Sequence, residues 1–260
     1  MTGPYSSLSH YRLLNTDKPD GTIPEPTSET VSSKQSRLIS KVLSPAVGLW
    51  LRSQVQQVSD LEVKISGGDR QILSGYIPHV SISARHAVYQ GLHLTQIQLV
   101  GEGIRVNLGA MLRGQPLRLL EPIPISCEVL LQELDLNASL QSPLLANALT
   151  ELLSTLLPAS YPVDGSVRWQ KIRIDSGQLI LYAALSSDSP KQVVIRTGLK
   201  LASSHELKLE HPQIQNQLGL PLENLASFTL DLGSEVAIEE LILTSGQLLC
   251  RGGIKVIPPE

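Results

Sequence analysis

The chain has 260 residues, of which 42% are hydrophobic and only 17% charged, with a formal net charge of −3. That length buries a core without disulfides. The acidic balance and an aromatic content of 3% exclude an ordinary nucleic-acid binder, which needs a basic face and stacking rings.

Residues 1–34 carry Pro4, Pro19, Pro24 and Pro26 among many Ser and Thr, with no periodic apolar face. Such a segment cannot bury enough surface to fold, so a disordered tail is expected, followed by one folded domain over residues 35–260. It also lacks the apolar run of a secretory signal, which makes the reducing cytoplasm the default compartment, with peripheral association to a membrane. Next, apolar residues at Leu38, Ile39, Val42, Leu43, Ala46, Val47 and Trp50 follow intervals of three and four. They predict an amphipathic helix over residues 36–58, kinked by Pro45. Lys41, Ser44, Pro45 and Gly48 make the run too short and too interrupted to cross a bilayer. Trp50 on such a helix suits the level of lipid headgroups.

Strands are expected from there. Val63 and Ile65 alternate with charged residues, and Ser66-Gly67-Gly68-Asp69 reads as a hairpin turn. Val80, Ile82 and Ala84 alternate with serines. The parity change between Leu92, Leu94 and Ile97, Leu99 predicts a bulge near Gln96. Ile104, Val106 and Leu108 alternate again, as do Ile125, Cys127, Val129 and Leu131. Pro122 and Pro124 place residues 120–125 at a sheet edge or in a loop, because proline cannot donate to a ladder. Glu133 and Asp135, two apart, are expected on the solvated face of a strand.

Residues 142–157 give the clearest helix. Ser142 suits the N-cap, Pro143 the first helical position, and Pro158 stops it. Leu144, Leu145, Ala148, Leu149, Leu152, Leu153, Leu156 and Leu157 form an apolar stripe wider than a packed helix requires. Beyond it, residues 167–179 align without gaps on residues 236–248. Both copies end in Ser-Gly-Gln-Leu, a hairpin turn in which glycine accepts a positive φ. Residues 63–73 form a weaker third copy. The sum is an α+β arrangement of long antiparallel hairpins and two amphipathic helices.

No catalytic constellation emerges. The sequence has no nucleophile elbow, no P-loop and no zinc-protease motif. His79, His86 and His93 are spaced by seven and match no metal motif. No catalytic residue, no metal and no cofactor is therefore expected. Cys127 and Cys250 read as free, partly buried thiols. The salient feature is leucine, at 46 positions against a single phenylalanine. An aliphatic lining suits an alkyl chain, since each buried CH₂ gains about 0.8 kcal/mol without a polar partner.

A family resemblance bears on that reading. Leu73-Ser74-Gly75-Tyr76-Ile77-Pro78, Ala87-Val88-Tyr89-Gln90-Gly91-Leu92-His93-Leu94, Gly114-Gln115-Pro116-Leu117 and Leu134-Asp135-Leu136-Asn137-Ala138-Ser139-Leu140 resemble the LmeA-like phospholipid-binding family, in its cyanobacterial branch. The likeness spans roughly residues 36–256. It implies a strongly curved antiparallel β-sheet wrapped around amphipathic helices, similar to the tubular lipid-binding proteins that include bactericidal/permeability-increasing protein. It implies a non-enzymatic protein that takes phospholipid or another long-chain lipid in an aliphatic groove, docks transiently on a membrane surface and binds no nucleic acid. On this reading the lipid-binding residues are Leu144, Leu145, Ala148, Leu149, Leu152, Leu153 and Trp50. The rival is an interaction scaffold with a solid core and no ligand. Limited proteolysis should trim residues 1–34 and leave a core starting near Ser36; protection of that segment would contradict the boundary.

Overall fold

A computed structural model describes residues 38–111, 113–157, 167–185, 191–216, 221–224 and 228–258; the expected tail, residues 1–34, lies outside them. In chain order the elements are α1 (Leu38–Gln54), β1 (Gln57–Ser66), α2 (Asp69–Leu73), β2 (Tyr76–Tyr89), β3 (Leu92–Arg105), α3 (Leu108–Met111), β4 (Ile123–Gln132), α4 (Glu133–Ala138) and α5 (Pro143–Leu156). Then come β5 (Val167–Asp175), β6 (Gln178–Leu185), β7 (Lys191–Ser203), β8 (Glu206–Asn216), β9 (Pro221–Asn224), β10 (Phe228–Asp231), β11 (Val236–Thr244) and β12 (Gln247–Val256). The hairpins are antiparallel as the alternation predicts, but they form two sheets rather than one. The first runs β1-β2-β3-β4-β12-β11, and the second runs β10-β8-β7-β6-β5 with β9 beside β8.

Local chemistry explains where the elements depart from the sequence pattern. Ser66-Gly67-Gly68-Asp69 is not a hairpin turn. Gly68 keeps an extended φ of −76°, its N–H donates to the Gln71 side chain, and α2 starts there. No bulge interrupts β3 at Gln96, because its pairing with β2 keeps one register from Tyr76–Arg105 to Tyr89–Leu92. The irregularity lies instead between β1 and β2, where the register shifts on either side of the Ser59–Arg85 pair and Asp60 and His86 take positive φ of 40° and 47°. Pro124 sits where β4 pairs β12 alone, since β3 joins β4 only from Ile125 onward. That agrees with an edge position.

Glu133 and Asp135 lie on a helix, not a strand, and neither carboxylate is idle. Glu133 Oε2 accepts the Ile174 N–H at 2.9 Å, and Asp135 Oδ2 accepts from the Thr95 hydroxyl at 2.5 Å. Ser142 does precede α5, but its hydroxyl makes no cap. It donates to the Gln90 carbonyl at 2.9 Å, while the Ser139 hydroxyl receives the His93 N–H at 2.8 Å. Two buried serines thus pin the start of α5 to the β2–β3 hairpin. Farther along α5, Trp169 Nε1 donates to the Thr150 hydroxyl and ties the helix to β5.

Two apolar cores result. One packs α5 and α4 against the inner face of the second sheet, with Leu153, Leu181 and Ile195 fully buried. Leu131, Leu243 and Leu248 of the first sheet border it. The other gathers α1, α2 and α3 over β1, β2 and the end of β4, around Ile65, Ile72 and Ile123.

The repeated Ser-Gly-Gln-Leu hairpins are where the two sheets meet. The Gly177 N–H donates to the Leu243 carbonyl at 3.2 Å, and the Gly246 N–H donates to the Ile174 carbonyl at 2.9 Å. In each case the turn glycine of one copy reaches the residue three before the turn glycine of the other, so the clasp is reciprocal. Both glycines sit at positive φ, 73° and 79°, and a Cβ at either would meet nothing within 4 Å. Glycine is required there by the backbone and not by space. Glu133 closes a ring around the clasp. Its side chain takes the Ile174 N–H while its own N–H donates to the Gly246 carbonyl at 2.8 Å. Asn137 completes it by taking the Ile172 N–H and giving to the Ile172 carbonyl, as a neighbouring strand would.

Asn137→Ala leaves both backbone groups of Ile172 unpartnered, which costs about 1–3 kcal/mol. Hydrogen exchange should show the Gly177 and Gly246 amides protected despite their place in hairpin tips. In Asn137→Ala that protection should fall together with thermal stability. Rapid exchange of both amides in the unsubstituted protein would refute the clasp.

Candidate functional site

The first sheet has one mixed face, where ion pairs stand beside the aliphatic row Leu130, Leu249 and Ile242, and one apolar face. Facing residues in an antiparallel ladder project to the same side. On one side, Arg251 of β12 bonds Glu128 of β4 at 2.6 Å and Glu240 of β11 at 2.5 Å, with Ser126 and Gln98 nearby in the ladder. Those contacts hold the Arg251 guanidinium above its ordinary pKa, the Glu128 hydrogen bond contributing most.

The opposite side is apolar from end to end. Near α1 and α2 a row reads Val80, Gly101, Ile125, Ile254, Val236 across β2, β3, β4, β12 and β11. Near α5 a row reads Leu131, Leu248, Leu243. The end rows border the two cores. Two rows lie between. One holds Ile82, Leu99, Cys127, Gly252 and Ile238, and the other Ala84, Ile97, Val129, Cys250 and Leu241. From Leu99 and Ile97 onward, the side chains of these rows belong to neither core and remain partly exposed. They make a contiguous apolar band with no charged member. An uncovered apolar patch of this kind marks a contact site for a ligand, a partner or a membrane.

Cys127 and Cys250 are both free and lie diagonally across the β4–β12 ladder within the band. Burial pushes both thiols above their ordinary pKa, and for Cys250 the proximity of Cys127 adds to the rise. At neutral pH they stay protonated and behave as small apolar groups rather than nucleophiles. Among the described residues no three His, Cys, Asp or Glu side chains converge as metal ligands. No helix among them is long and apolar enough to cross a membrane.

The residues predicted for lipid contact on α5 are divided by the fold. Leu149 and Leu153 are buried in the core against the second sheet. Leu145 and Leu152 sit partly exposed at that core's margin. Leu144, 46% exposed, and Ala148 face solvent. Trp50 lies on α1, and its side chain is outside the described residues. The band residues Leu99, Val129 and Leu241 escaped the sequence reading. Their period-two signal is plain, but alternation does not say which apolar faces stay uncovered.

Two open clefts lie elsewhere and are polar. One of about 420 Å³ is lined by Gln178, Arg196, Thr197, Glu210 and His211. Another of about 600 Å³ lies by the clasp, among Glu133, Arg173 and Gln247.

No curated protein and no solved structure matches the chain. A family model does match, over residues 34–253, and this covers the band, both cores and the clasp. The chain belongs to the LmeA-like phospholipid-binding family.

Proposed function

We propose that the protein is a non-enzymatic phospholipid carrier that holds acyl chains on the uncovered apolar band of its first sheet. The observation that carries this reading is the band itself. It joins two cores by way of aliphatic side chains that belong to neither and stay partly exposed, in a member of a phospholipid-binding family. Each methylene removed from water there gains about 0.8 kcal/mol, so a chain of a dozen or more carbons needs no polar partner to bind. Leu145 and Leu152 of α5 are partly exposed at the margin of the core that Leu131 and Leu248 also border, and on this reading they extend the lipid surface. Leu149 and Leu153 support it from within. The proposal gives Cys127 and Cys250 no catalytic role, because burial holds both thiols protonated at neutral pH. A carrier must also meet the membrane that supplies its lipid, which makes transient docking part of the same reading.

Native mass spectrometry of the purified chain should find bound phospholipid, or uptake of a labelled phospholipid by the apo form. Leu99→Trp and Val129→Trp should abolish it with little loss of melting temperature, because the band has room. Leu145→Trp and Leu152→Trp should weaken it. Leu149→Trp and Leu153→Trp should instead destabilise the fold by about 1–3 kcal/mol, as overpacked cores do. A uniformly lipid-free protein that takes up no label, or band variants with unchanged uptake, would overturn the assignment.

The thiols give a second readout. With their pKa values raised, the reactive thiolate is scarcer at neutral pH than in a free cysteine, so alkylation should be slow and accelerate as pH rises. Bound phospholipid should slow it further at both Cys127 and Cys250. Equal rates with and without lipid would place the chain away from this band.

A further inference from the structure

The outer face of the second sheet carries a charge pattern opposite in sign to the chain as a whole. Its inner face is fixed by Trp169, Ile172, Leu181 and Ile195, all in the core. The ladder then places the alternate residues outside. Three successive rows read Arg168, Ala184, Gln192, then Lys171, Tyr182, Val194, Gln215, then Arg173, Ile180, Arg196, Gln213. Arg168, Lys171, Arg173 and Arg196 are all exposed. No aspartate or glutamate stands in these rows among the described residues.

None of the four cations has an ion-pair partner among the described residues. The acids on this face begin one row farther on, with Asp175 and Glu210. Glu210 is already committed to Lys200 at 2.8 Å, the contact that does most to lower its pKa. The chain has 24 acidic residues against 21 Lys and Arg, so four unopposed cations on one sheet face are not inherited from a basic composition.

The centre of the patch is amphipathic. Ile180 lies between Arg173 and Arg196 in the ladder and is buried, as expected where long cationic side chains lay their stems over an apolar neighbour. Tyr182 lies between Lys171 and Val194 and is partly exposed. A tyrosine among exposed cations matches the chemistry of a lipid–water interface, where the ring sits at headgroup depth and the cations meet phosphate. Among the described residues of these rows Tyr182 is the one Tyr, Trp or Phe, which is poor equipment for stacking nucleic-acid bases.

We infer that this outer face, centred on Tyr182 and its four cations, is the surface by which the protein docks on an anionic lipid bilayer. The inference deepens the carrier reading by naming the docking side, and it is tested apart from it. The measured quantity is co-sedimentation of the full chain with vesicles of equimolar phosphatidylcholine and phosphatidylglycerol, against vesicles of phosphatidylcholine alone. The protein should bind the anionic vesicles and not the neutral ones. Binding should fade as added salt shortens the screening length from about 10 Å at 0.1 M to about 3 Å at 1 M.

Each cation removed should weaken binding about fivefold, so Arg173→Gln with Arg196→Gln should lose roughly 25-fold. Arg168→Gln with Lys171→Gln is the second pair, should the first lose its fold by circular dichroism. Arg113→Gln with Lys255→Gln, exposed cations elsewhere, should bind like the unsubstituted protein. Leu99→Trp should still dock while losing bound lipid, which separates failure of the surface from failure of the band. Equal binding to both vesicle types, no binding to either, or undiminished binding by both patch variants would overturn the inference. So would patch variants that lose affinity for heparin or an oligonucleotide but keep their affinity for vesicles.

Discussion

The contact on which the rest of this structure depends is the reciprocal clasp between two hairpins. Each sheet ends in a strand with a free edge, β5 in one and β11 in the other. A free edge exposes unpaired N–H and C=O groups and invites pairing with another chain. Here each edge gives part of its hydrogen bonding to the other sheet's turn, through Gly177 and Gly246. Ser204, in the β7–β8 turn, also accepts the Ile238 N–H from β11. What would be two aggregation-prone edges becomes a joint. The joint works only because both turns place an N–H outward at positive φ, which ties the fold to two glycines that touch no side chain.

Helix α4 locks that joint. Glu133 and Asn137 are four apart and so share a helical face. From that face they serve successive outward-facing groups of β5, at Ile172 and Ile174. Leu136, on the same side, enters the core, whereas Leu134 is 80% exposed. A short helix is thereby used as a surrogate strand.

Much of this was legible in the sequence. The helix at residues 142–157, the antiparallel hairpins and the recurrence of Ser-Gly-Gln-Leu all follow from local periodicity and turn chemistry. What was not legible depended on distant partners. The repeat reveals two like hairpins but not that they bond each other, since the Leu243 and Ile174 carbonyls belong to segments 69 residues apart. The third copy fails because Gln71 caps Gly68 and starts a helix where a turn was expected. Two-residue spacing misplaced Glu133 and Asp135 on a strand, though Glu133, Leu136, Asn137 and Leu140 already carry helical spacing. For the site, the α5 stripe is aliphatic as its spacing indicates, but the fold divides it between a packed core and its margin. Which of its leucines remain free is decided by Trp169 and the second sheet, beyond the reach of any single segment.

The two sheets share a ladder geometry and use it in opposite ways. In the first, Arg251 bridges Glu128 and Glu240 on one face, and it is the opposite, apolar face that remains unsatisfied. In the second, the apolar face is consumed by the core, and the charged face is left unsatisfied. The forces these surfaces offer differ in range. Apolar burial acts only at contact, whereas unopposed cations act over a Debye length of about 8–10 Å at physiological salt. On the proposed reading, the second sheet would orient the protein before contact and the first would hold the lipid after it. Keeping these roles on separate surfaces has a physical advantage. A face that combined both forces would bind the membrane too tightly to leave it, and release is what distinguishes a carrier from an anchor.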